Sequence, residues 1–294
     1  MSNAAQNSRN VMAAIGKVLL ALLVTMVLAV ILSIGAALIA IILKPELLDG
    51  PARLFQDPMF GKLAMFAQFL GFIGAAWLMF YMFERKKGWS LGVARKGIIR
   101  SSFEGLFAGF VLITLICGLI WLFGGVQVVS AVWSAALALD LLGWLLVMIG
   151  VAVSEEIFAR GYVQGVFRFP LGVKAAIAAQ AVVFAMLHSF NGSMWSSPLP
   201  IINLLLAGIL FGTARELSGG LWMPIGLHLS WNFMQGGIYG FKVSGLSMES
   251  ILLVEPQGPS LISGGGFGAE GSLVTTFILI IGTFAVSRFY KIKK

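Results

Sequence analysis

Long apolar stretches alternate with short polar ones along this chain. A helix needs about 20 apolar residues to cross the hydrocarbon of a bilayer. Eight stretches reach or approach that length, at roughly 12–43, 60–83, 104–124, 137–168, 172–190, 200–216, 220–240 and 272–290. The first is too long for a cleaved signal peptide, whose apolar core runs to about 15 residues. The sixth is short. The seventh carries Pro224 and Gly226, where a helix is expected to break or tilt. The pattern predicts an all-α polytopic membrane protein with about eight transmembrane helices.

Composition points the same way. Of 294 residues, 59% are hydrophobic and 11% charged, against about 45–50% and about 25% in soluble domains. No polar stretch is long enough for a separate soluble domain, so residues 1–294 read as one membrane domain. Within it we expect a two-helix N-terminal extension (1–103), a core (104–240), an exterior loop (241–271) and a last helix with a basic tail (272–294). Cys117 is the only cysteine, which excludes an intramolecular disulfide, and its apolar setting argues against a thiol nucleophile. The net charge of +8 sits mostly between apolar runs. It reads as contact with anionic lipid and as a topology signal, not as a nucleic-acid surface.

Positive charge marks the cytoplasmic side of a membrane protein. "ERKKGWSLGVARKGIIR" holds Arg85, Lys86, Lys87, Arg95, Lys96 and Arg100, and the end "SRFYKIKK" holds Arg288, Lys291, Lys293 and Lys294. The loop before the fourth span has no charge, and 241–271 has one lysine against Glu249, Glu255 and Glu270. Eight spans with both termini cytoplasmic, in the cell membrane, satisfy every loop. The glycine-rich "SGGGFGAEG" is expected to be a flexible exterior loop.

Ionisable side chains inside spans are rare and mark function by default. Three clusters stand out: Glu155, Glu156 and Arg160 in "VSEEIFARGYVQG" (Val153–Gly165), Phe184 and His188 in "FAMLH", and His228 and Asn232 in "HLSWN". The protein has only two histidines, and both fall in these clusters. Glu156 and Arg160, four apart on one helix face, are expected to pair. Glu155 is turned about 100° away and is left without that partner, which suits a general base. Spans four and five form a hairpin turning near Pro170–Gly172. Glu155 and His188 then lie about 22 and 27 Å from Pro170 by helical rise, at similar heights. His228, eight residues past Gly220, is shallower by the same count. Asp140 and Lys17, near span ends, are expected to cap or snorkel. Asn203 admits either a packing or a functional role.

The three clusters, in order on successive helices, resemble the CAAX protease and bacteriocin-processing family of intramembrane proteins (type II CAAX prenyl endopeptidases, or Abi proteins), with its EExxxR, FxxxH and HxxxN motifs. The resemblance implies an intramembrane glutamate-dependent endopeptidase that cuts a membrane-associated peptide or protein without a cofactor. It implies that Glu155, assisted by His188, activates water. His228 and Asn232 would form an oxyanion hole, Glu156 and Arg160 would brace the site, and Phe184 would pack beside it. A zinc site built from Glu155, His188 and His228 is an alternative by ligand type. So are a non-catalytic peptide-binding, immunity or scaffold protein and a proton-relay transporter.

Overall fold

The computed structural model describes residues 3–94 and 97–293; Arg95, Lys96 and Lys294, which the orientation reading counts, lie outside them. The chain is helical almost throughout. Its long elements are α1 (Asn3–Leu43), α3 (Pro58–Phe83), α4 (Ile98–Leu122), α5 (Ala135–Glu156), α6 (Gln164–Leu187), α7 (Pro198–Ser218), α8 (Trp222–Phe233) and α10 (Leu273–Lys293). A short α2 (Pro51–Gln56) joins α1 to α3, and α9 (Ser260–Ser263) lies before α10. The protein is an all-α polytopic membrane protein.

The expected count of eight spans is not reproduced as eight long helices. Among the described residues, six helical segments are long and apolar enough to cross a membrane. Residues 135–187 form one such segment, bent at Gly172, whose φ of 75° and ψ of 175° turn the chain back. The bend falls at the expected turn. The leg after it, to Leu187, is too short to count alone, as is α8 with its 12 residues.

α8 also differs from expectation in where it deforms. Pro224 sits in its first turn, where the backbone N–H groups have no helical acceptor, so its missing donor costs no bond. Gly226 is a contact point: a Cβ there would collide with the Ser102 carbonyl. α4 answers with Gly105 and Gly109, whose Cβ positions are occupied by the backbone of Met223 and Leu227. The two helices thus run side by side with glycine at each close approach, as helices in lipid commonly do. Gly109→Val is expected to force them apart and lower the melting temperature in detergent, whereas the same change at Gly118, which has nothing within 4 Å of its Cβ position, should be nearly neutral. The irregular stretch of this strand of chain comes later, as a π turn at Met234–Ile238.

Contacts sort the loops onto two ends of the bundle. At the basic end Lys17 pairs with the buried Glu84 at 2.6 Å, Lys87 joins it at 3.2 Å, and Trp89 Nε1 donates to the other carboxylate oxygen at 3.3 Å. Lys17 is therefore bonded within the protein. Asp140 is exposed. Trp222 Nε1 donates to the Ala94 carbonyl, and Tyr290 donates to Glu104. At the opposite end β1 (Val126–Ala131) and β2 (Leu252–Pro256) pair antiparallel, which places the uncharged loop and the net-acidic one on one face.

The loop 241–271 is folded onto the bundle, contrary to the expectation of a flexible segment. Phe267 and Ala269 are fully buried. Gly264 and Gly268 have positive φ, and a side chain at either would strike the carbonyl of Gly268 or Lys242. The glycines of "SGGGFGAEG" permit close backbone packing here; they do not serve as a spacer.

Candidate active site

The path from α5 to α6 passes through a π turn at Ile157–Val163, directly after the paired glutamates. Such wide turns recur at functional sites. Every residue in it is buried. Its level in the bundle is fixed by Gly161, which packs against the Leu91 carbonyl and the Leu221 side chain, while Leu221 N–H donates to the Gly92 carbonyl. Gly161 and Leu221 are thus at one height, and the hairpin tip at Gly172 extends beyond it. Glu156 lies five residues from Gly161 and His228 seven from Leu221, or about 7.5 and 10.5 Å by helical rise. This removes the apparent mismatch in depth, which arose from measuring one residue from the hairpin tip and the other from the start of α8.

Glu156 and His228 meet. Glu156 Oε1 accepts from Arg160 Nη1 at 3.0 Å and from His228 Nδ1 at 3.0 Å. Arg160 and Glu156 are completely buried and His228 nearly so. The guanidinium lies 3.9 Å from the centre of the Phe184 ring and 5.0 Å from that of Phe211. Those faces attract a cation most strongly where water is excluded, and here they flank a guanidinium whose Nε and Nη2 find no hydrogen-bond acceptor among the described residues. Phe184 also stands edge-on to both imidazoles, with ring centres 4.9 Å from His188 and 6.2 Å from His228.

The two histidines share a hydrogen-bonding pattern. His188 Nδ1 lies 2.9 Å from the Phe184 carbonyl, which can only accept, so Nδ1 carries the hydrogen. His228 Nδ1 faces a carboxylate, with the same result. A neutral imidazole bonded this way keeps a bare lone pair on Nε2. Each ring therefore offers Nε2 to whatever occupies the space beside it.

That space is a cavity of about 350 Å³. Glu155, His188, His228 and Asn232 all line it. A water molecule takes about 30 Å³, so several waters, or part of a peptide, fit inside. Glu155 has no hydrogen bond to the described residues, and its Oε2 is buried without a partner. Asn232, one turn beyond His228, has no side-chain hydrogen bond among the described residues either. Met65, Phe69 and Phe72 of α3 and Met148 and Val151 of α5 supply an apolar wall. The wall continues to Asn191, Ser244 and Leu246, in the loops at the end opposite the basic one.

Asn203 serves the architecture. Its amide donates to the carbonyls of Glu270 at 2.7 Å and Ser272 at 2.8 Å and accepts from Thr276 at 2.7 Å, tying α7 to the start of α10. Glu270 is the cavity residue that sequence reading missed. It lines the same space from the turn 269–271, and its surroundings in sequence, "GFGAEG", carry no periodic or motif signal. Burial holds its carboxyl above the usual range, partly offset by bonds from Ser244. No three His, Cys, Asp or Glu side chains among the described residues converge as a metal site, so the ligand set for zinc is not assembled.

No curated protein matches the chain. Residues 136–234 match a family model described as "Rce1-like: Type II CAAX prenyl endopeptidase Rce1-like". The match spans all seven motif residues and stops before Glu270. In residues 136–234 this membrane protein carries the domain of the type II CAAX prenyl endopeptidase family, the family its three motifs resemble.

Proposed function

We propose that the protein is an intramembrane endopeptidase that hydrolyses a peptide bond in a membrane-associated peptide or protein. The observation that carries this reading is the gathering of Glu155, His188, His228 and Asn232, from two separate helices and one helix end, around a single cavity. Glu155, in no ion pair among the described residues, takes a proton from water as the oxygen attacks the carbonyl carbon. His188 Nε2 accepts the water's second hydrogen and orients it. The oxyanion then needs donors. Asn232 supplies one through its amide. His228 supplies another from Nε2 when its ring carries both hydrogens, its Nδ1–H being already given to Glu156. The apolar wall of α3 and α5 receives a greasy segment of the substrate. The basic end of the bundle faces the cytoplasm.

Removing one oxyanion donor typically slows turnover by about 10²–10³-fold. Asn232→Ala is expected to do so, measured on a peptide released by the wild-type protein, with an unchanged melting temperature. Wild-type turnover in this variant would remove Asn232 from the reaction.

A further inference from the structure

Segment 241–271 lies outside the matched residues and brings one more acid to the cavity. Glu270 accepts from Ser244 N–H at 2.6 Å and from Ser244 Oγ at 2.8 Å, both on Oε2. Oε1 has no hydrogen bond among the described residues. That leaves Oε1, where the protonated form of the group would carry its hydrogen, free to donate. The turn is fixed on several sides. Asn203 holds the Glu270 carbonyl, Thr275 Oγ1 donates to the Ala269 carbonyl at 2.6 Å, and Gly271 packs on the Gly264 carbonyl.

We propose that Glu270 is a catalytic acid of this centre, donating its proton to the nitrogen that leaves when the peptide bond breaks. The inference rests on the hydrolase reading above. Glu155 gains a proton from water while the water oxygen bonds to the carbonyl carbon and the carbonyl electrons move onto oxygen. On collapse the C–N bond breaks, its electron pair stays on nitrogen, and nitrogen takes the Glu270 proton. Products leave as an acid and an amine. The proton on Glu155 then passes through cavity water or an imidazole to Glu270, restoring both groups.

Paired acids held in different surroundings are how hydrolytic sites divide base from acid. Glu155 has no donor to it among the described residues. Glu270 is enclosed by protein except where it meets the cavity, and that enclosure favours its neutral form. The titratable groups facing it are His188 and His228, Cys117 of α4 and, across the cavity, Glu155. With its carboxyl raised, Glu270 is in its working, protonated form at lower pH, and turnover falls as pH rises through its titration.

The test uses the full-length protein in lipid nanodiscs, a peptide released by the wild type, and Glu155→Gln measured alongside. Glu270→Gln keeps the shape and the acceptor for Ser244. It is expected to lower turnover by about 10²-fold or more and to remove the alkaline fall of the pH–rate profile. Glu270→Asp should recover part of the rate and bring that fall back at a shifted pH, since the carboxyl that titrates is a different one. Infrared difference spectra of resting wild type against Glu270→Gln should show a protonated carboxyl band at neutral pH. A wild-type rate and alkaline limb in Glu270→Gln, or no such band, overturns the assignment. If the Gln variant does not fold, an alkaline limb in Glu270→Asp at the wild-type position overturns it equally. Continued cleavage by Glu155→Gln instead refutes Glu155 as the base on which the proposed mechanism rests, so the two failures are distinct.

Discussion

Glu155→Gln is expected to lose peptide hydrolysis while leaving the folded protein intact. The side chain accepts no bond from the described residues and one of its oxygens is buried alone, so replacing the charge with an amide removes no contact that holds helices together. What it removes is the acceptor for the water proton. A positioned general base contributes about 10²–10⁴-fold, and a variant at or below that residual rate, with a wild-type melting temperature, is the predicted result. Glu156→Gln should behave differently. It weakens the ion pair with Arg160 and the counter-charge behind His228 together, so stability and turnover should fall in the same variant.

Arg160→Ala is expected to have the largest effect on stability. It leaves the Glu156 carboxylate fully buried with His228 as its one remaining partner, and breaking a buried pair from one side typically costs about 3–5 kcal/mol. It also uncovers the faces of Phe184 and Phe211 that the guanidinium now fills. Arg160→Lys should rescue little, because a compact ammonium cannot both pair with Glu156 and lie flat between two rings. The double variant Glu156→Gln with Arg160→Met should be less destabilised than the sum of the singles, since it leaves no unpaired charge. Thermal melts of the three variants in one detergent give the comparison; additive losses would show that the pair is not coupled.

The local part of this site was legible in the sequence, and the long-range part was not. Spacing of four on a helix is enough to pair Glu156 with Arg160 and leave Glu155 apart, because that geometry is set by helical pitch alone. It is silent on His228, 72 residues away, whose approach to Glu156 depends on where α8 begins relative to the hairpin. Depth counted along the chain misjudged this, since the tip at Gly172 stands beyond the level of Leu221. Pro224 suggested a break that its place in the first turn makes unnecessary. Glu270 was invisible for a different reason. Glycine-rich sequence fits a flexible linker as well as a tightly folded turn, and the choice is made by contacts such as Gly268 against the Lys242 carbonyl, which no periodicity records. The apolar wall from α3 was not legible either, because a span's hydropathy does not say which of its faces meets a cavity.

The most direct measurement is mass spectrometry of peptides from membrane fractions incubated in ¹⁸O-water, with the wild-type protein and Glu155→Gln present at equal levels. New peptides whose fresh C-termini carry the heavy oxygen should appear with the wild type and be missing with the variant. Identical peptide sets from the two would contradict an enzyme that cuts through this carboxylate.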